Sequence, residues 1–342
     1  MHAFGPEVEC FVVAPFDRAV PEENRVTGKK RVHLVPLRTE RFTPVGSSTR
    51  WTQDVVHAFS CKTPGGQDQL RLHYNAGRID PAAFRELQNH IPGLQCLPMN
   101  EPRINGGNIL IGGTGDFLMA GADLLNWYRR GLTGAARSAA RIKLENQLRD
   151  KFGVMRIYWV NATEASGRLN GRQPFFHIDM YVSLAGQTDD NTELVFVGEI
   201  RNEYVFCNHS PEIAQLKEAL DRTARWMENP RNHHGLKCRV LRLPVLVFNE
   251  QADHYGCYNN CLVEQTPGGR ILYLPDFMPG LNGGKTANGT AQRIAAIQEQ
   301  LRWKILKWNA GSVRFVSGGF FGLSRKMGSL RCMAKVIQRT GA

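Results

Sequence analysis

The chain has no uninterrupted run of about 18 apolar residues, so no segment reads as a membrane-spanning helix and no membrane partner is expected. Its first residues, MHAFGPEVECFVVAPFDR, lack a basic stretch followed by an apolar one. They do not read as a secretion signal, and the expected compartment is the cytoplasm. No linker rich in proline, serine and glycine divides the 342 residues, and no segment has low complexity. A single domain spanning 1–342 is therefore expected, although length alone also allows two. Cysteine is present without the pattern of a disulfide framework: the eight thiols are scattered and read as reduced. Cys257 and Cys261 stand four apart with no second pair or nearby histidine to complete a zinc set, and His233–His234 with Cys238 fall in a polar loop. No metal and no organic cofactor is expected. An arginine-rich arm and an aromatic RNA-binding motif are also missing. The net charge of +12 is spread along the chain and reads as a solvated basic surface, so no nucleic-acid partner is expected. Assembly into a homo-oligomer stays open.

Short apolar runs are abundant. Strand-like stretches recur at 8–15, 53–60, 108–113 and 116–121, and again in MRIYWVNA, HIDMYVSLAG, TELVFVGEI, VLRLPVLVFN, YNNCLVEQ, RILYLPDF, SVRFVSGG and SLRCMAKVI. Helical periodicity lies between some of them, around 81–90, 121–150, 211–228 and 289–308. This alternation predicts an α/β or α+β fold. Five of the strands are expected to carry a polar interruption at their centre: Asp54, NGGN at 105–108, His177 with Asp179, YNNC at 258–261, and Cys332. Gaps of roughly 50 to 80 residues separate them, which is the pattern of an internal repeat. Five such units closed in a ring would aim all these polar side chains at one axis, as in a propeller.

Within QPFFHIDMYVS, residues 173–183, a strand would point His177 and Asp179 to the same face. An unpaired carboxylate is costly to bury, so the pair marks a site or a partner. Cys332 follows a glycine-rich stretch, with Arg331 and Lys335 close enough in sequence to favour its thiolate. A cysteine nucleophile needs a histidine for proton transfer, and the two can be far apart in the chain. Asp54 is a further carboxylate at the head of an apolar run. Two glycine-rich stretches are turns and not phosphate loops. In PGLNGGKTANGT the spacing from Gly280 to Gly284 is one residue short and Pro279 stands where the first glycine belongs; GGTGDF lacks its third glycine.

Taken in order, WTQD, INGGNIL, HIDMYVS, YNNCLVE with RILYLPDF, and GSLRCM resemble the guanidino-modifying pentein superfamily. That group includes arginine and agmatine deiminases, dimethylarginine hydrolases and amidinotransferases. The resemblance implies a five-bladed ββαβ α/β-propeller of pseudo-fivefold symmetry and a small cationic guanidino substrate. It further implies Cys332 as nucleophile, His177 as general acid/base, and Asp54 and Asp179 as the carboxylates that grip the guanidinium, with Asn105 at a position where relatives carry an acid. Gln53 replaces an arginine usual before the first aspartate. Paired buried carboxylates suit a planar cation with several N–H donors. The expected activity is hydrolysis of a guanidino group through a covalent thiouronium intermediate. An amidinotransferase or a dihydrolase using the same residues, or a non-catalytic basic binding protein on the same fold, are the alternatives.

Overall fold

The computed structural model describes residues 10–15, 32–37, 56–62, 68–74, 81–91, 93–99, 104–112, 115–161, 173–188, 190–230, 235–266, 269–278, 289–308, 312–317, 320–324 and 329–333. One supersecondary unit, ββαβ, recurs through them. In its first full copy, β3 (Val56–Lys62) pairs antiparallel with β4 (Asp68–Tyr74), and α1 (Pro81–His90) then returns the chain to β5 (Leu94–Pro98), parallel to β4. The second copy runs β6 (Ile109–Ile111), β7 (Phe117–Gly121), α2 (Ala122–Tyr128) with α3 (Gly134–Phe152), and β8 (Arg156–Val160). The third uses β9 (Val182–Gln187), β10 (Glu193–Glu199), α4 (Pro211–Glu228) and β11 (Cys238–Val247), with the short β12 (Tyr255–Cys257) added to its edge. The fourth uses β13 (Leu262–Thr266), β14 (Gly269–Pro275), α5 (Thr290–Lys307) and β15 (Ser312–Val316). The strands β1 (Cys10–Pro15) and β2 (Val32–Leu37) form a separate parallel pair, and two short helices, α6 (Phe320–Ser324) and α7 (Leu330–Met333), follow the fourth unit. An antiparallel pair needs only a tight turn, whereas a parallel pair needs a crossover, and the helices supply it.

Each unit buries its helix against its own sheet. Helix α4 shows why: Ile213, Leu216, Leu220, Ala224 and Met227 recur at three- and four-residue spacing and face β10 and β11. Its start is fixed by Pro211 at the first position and by Ser210, whose Oγ accepts from the Ile213 amide at 3.3 Å. Helix α5 does the same with Ile294, Ile297, Leu301 and Ile305 against β13–β15. Helix α3 differs. Only Leu144, Leu148 and Phe152, in its second half, are buried. No helix among the described residues is long and apolar enough to cross a membrane.

The structure corrects where the polar interruptions sit. They are not at strand centres but in short turns immediately before the first strand of a unit. Gly106–Asn108 form a 3-10 turn ahead of β6, Ile178–Met180 one ahead of β9, and Tyr258–Asn260 a turn ahead of β13. Cys332 stands in helix α7, not in a strand. Asp54 lies outside the described residues, two positions before β3. The expected strand over 173–183 begins only at Val182, because the groups upstream are bonded elsewhere. Met180 N–H donates to the His177 carbonyl and Tyr181 N–H to that of Ile178, while Gln173 and Asn108 hold the backbone of Phe175, Phe176 and Ile178.

Candidate functional site

The lead-in turns touch one another in sequence order. The first contact joins NGGN to FFHID. Asn108 Oδ1 accepts from the Ile178 amide at 3.3 Å and from Gln173 Nε2 at 3.2 Å, and its own Nδ2 donates to the Phe176 carbonyl at 3.4 Å. Gln173 Nε2 also donates to the Phe175 carbonyl at 3.1 Å, and its Oε1 accepts from the Asp123 amide at 2.8 Å. Both side chains are buried, where a lost partner costs about 1–3 kcal/mol, so this clamp fixes the segment that carries His177. Gly107 closes on the imidazole: a Cβ there would lie 2.4 Å from His177 Nδ1. Glycine is required at that position by space and not by backbone angle.

The next turns complete the cluster. Ser183 Oγ donates to the Asn259 carbonyl, and the Arg331 amide donates to the Asn260 carbonyl at 3.3 Å. Asp179 is fully buried, and Arg331 Nε lies 3.9 Å from its Oδ2. His177 and Asp179, ahead of β9, and the helix bearing Cys332, after the fourth unit, are thereby linked through the turn ahead of β13. Asn105 heads the Gly106–Asn108 turn in extended backbone and is exposed, while the three residues after it are buried. Phe176, partly exposed, sets its ring 4.1 Å from that of His177.

Burial sets the electrostatics here. His177 is pushed down to about 4, because its charged form would lose its hydration, so the ring is neutral at pH 7. Cys261, in the turn between Asp179 and Arg331, is pushed up to about 11 by burial, against the opposing pull of Ser183 and Arg331. It is a protonated thiol at neutral pH. The Tyr181 hydroxyl is held well above its ordinary value by burial and by the nearby carboxylates of Asp123 and Asp179. The sequence marks Gly107 and Asn108 within NGGN and Cys261 within YNNC as polar interruptions, whereas spacing and residue type do not single out Gln173 or Ser183.

No protein-family model matches the chain, and no curated protein matches it by sequence. Solved structures do match. An agmatine deiminase of C. jejuni superposes with a TM-score of 0.55 at 16% identity, over 95% of this chain and 80% of that one. A Porphyromonas gingivalis protein named provisionally as an arginine deiminase gives 0.56 at 16% identity, over 95% and 83%. A cysteine-to-serine form of the C. jejuni enzyme, described as having substrate bound, gives 0.53 at 15%, over 95% and 81%. The likeness is one of fold, and it extends over nearly the whole of this chain.

Proposed function

We propose, for a chain that has the mixed α/β fold of the guanidino-modifying pentein superfamily, that it hydrolyses the guanidino group of arginine or an arginine-like compound. The observation that carries this reading is the meeting of Asp179 and Arg331. A fully buried carboxylate, two residues on from a buried neutral histidine, already faces a guanidinium, the chemical group that a substrate would bring. Asp54 and Asn105 join Asp179 in gripping the substrate through its N–H donors.

Chemistry then follows from the charge states. Neutral His177 is a proton acceptor in the resting site, so it takes the Cys332 thiol proton as sulfur attacks the guanidinium carbon. The same proton passes to the departing nitrogen as the C–N bond breaks, leaving a thiouronium on sulfur. His177 next takes a proton from water as its oxygen attacks that carbon. Collapse breaks the C–S bond, releases a ureido product and restores the thiol. The reading needs no metal or organic cofactor. We extend it to the fold: five ββαβ units in one domain, the parallel pair β1–β2 belonging to the fifth, close into a propeller with the lead-in turns around its axis.

The test is a panel of guanidino compounds (arginine, agmatine, methylated arginines and arginyl peptides), with products identified by mass spectrometry. Ureido product and ammonia or amine are expected, abolished in Cys332→Ser and Asp179→Asn with the fold intact by circular dichroism. Turnover that survives Cys332→Ser would remove the covalent mechanism. Product that appears only with an acceptor amine would replace hydrolysis with amidino transfer.

A further inference from the structure

The chain spreads its 43 lysines and arginines along its length, yet the fold collects five of them on one projecting hairpin. Between residues 127 and 144 stand Arg129, Arg130, Arg137, Arg141 and Lys143, and no aspartate or glutamate. The hairpin is the end of α2, the turn after it and the first half of α3. From Gly134 to Lys143 no residue of α3 is buried, so this stretch contributes nothing to the core. Arg129 Nε donates to the Arg137 carbonyl at 3.1 Å, which ties the two arms together. Arg141 is paired with Glu145 at 2.7 Å, but Arg130, Arg137 and Lys143 form no ion pair among the described residues, and the Arg137 Nε donor has no hydrogen-bond partner there.

Three further observations point to an anion. Arg129 is held below its ordinary value by burial first and then by Arg141 and Arg137, against the opposing pull of Glu145, so three arginines crowd this turn. The first turn of α3 carries no acid, and Thr133 makes no side-chain cap, which leaves the positive end of the helix dipole unmasked. Beside these cations Trp127 is 54% exposed, its ring set edge-on against Tyr128 at 4.9 Å.

We infer that this hairpin docks single-stranded nucleic acid, with phosphates on the arginines and Lys143 and a base stacked on Trp127. The cations are mostly arginines, whose planar forks match phosphate oxygens, and a fixed, open indole face is a stacking platform for any base. Leu132 and Ile142 are exposed as well, but they stand singly among Ala135, Ala136 and Ala139, and the vesicle arm of the test below decides against or for a bilayer surface.

The experiment is fluorescence anisotropy of a labelled oligothymidylate of about 15 nucleotides across a KCl series, on the whole chain. If about four phosphates are neutralised, the logarithmic salt slope is about −3. Trp127→Ala should weaken binding about tenfold without changing that slope. Arg130→Ala with Arg137→Ala should reduce the slope by about 1.4. Helix content should be unchanged in both. Absence of binding at low salt, or binding indifferent to these substitutions, overturns the inference. So does capture of poly-glutamate or phosphatidylserine vesicles, in place of the oligonucleotide, through the same residues.

Discussion

Glu193 shows how one buried group writes itself into the pH dependence of the whole chain. It opens strand β10 with its side chain fully buried, and burial pushes its carboxyl up to about 7, with the Asp116 charge adding to the effect. The folded-state value lies above the unfolded one. This residue's contribution to stability is therefore complete below about pH 4.5 and lost as pH rises through 7. His177 and His73 have the opposite sign. Both are held near 4 by burial, so their contribution is complete above about pH 6.5 and lost as pH falls through 4. Urea-unfolding midpoints of Glu193→Gln should thus exceed wild type above pH 7, by an amount worth a few kcal/mol, and converge with it near pH 4. A constant offset across that range would show that Glu193 does not titrate in this window. Burial is the part that a sequence conceals: glutamate in TELVFVGEI looks like the solvated mouth of a strand.

At the scale of elements, the decisive device is the polar clamp that turns a predicted strand into a lead-in turn. Asn108→Ala removes the acceptor for Ile178 N–H and a partner of Gln173, both buried, and should cost about 2–3 kcal/mol in unfolding free energy. Activity should fall with it, because the His177 segment loses its anchor. Gly107→Ala separates the two effects. The added carbon meets the imidazole directly, so turnover should fall at least about tenfold while the thermal midpoint moves by only a few degrees. Equal losses in both measurements would mean that Gly107 serves the fold alone. The same device explains what was legible in the sequence. Helices α1 and α4 appear at 81–90 and 211–228 because apolar spacing and, for α4, Pro211 and Ser210 define them. The lead-in stretch 175–181 reads as strand because Phe175, Phe176, Ile178 and Met180 are as apolar as a strand's residues, and Asn108, some 70 positions away, takes its backbone groups. Strand β4, DQLRLHY, passed unnoticed because its apolar face shows only on alternate residues, and β5, LQCLP, because it is short and ends in proline.

Among the described residues ββαβ occurs four times beside the parallel pair β1–β2, and two of the cores are shared between neighbouring copies, so residues that meet at the site are far apart in sequence. The repeat spacing was readable, since polar interruptions returned at regular intervals; their exact seats were not. Because Asp179 and Arg331 are about 150 residues apart, their contact closes a long loop, and entropy opposes that closure more than it opposes any contact within one unit. It also has time in it. Arg331 and Cys332 leave the ribosome last of these residues, so a nascent chain contains His177 and Asp179 before it contains Cys332. In the mature protein the same order should run backwards: the Arg331 amide, bonded to Asn260 across units, should exchange its hydrogen well before Val195 and Val245 in the core strands. Exchange of all three at one rate would mean that α7 unfolds only with the rest. Otherwise, on the proposed function, the reacting groups are the last to assemble and the first to come apart, and brief warming should silence turnover reversibly while the sheets remain in place.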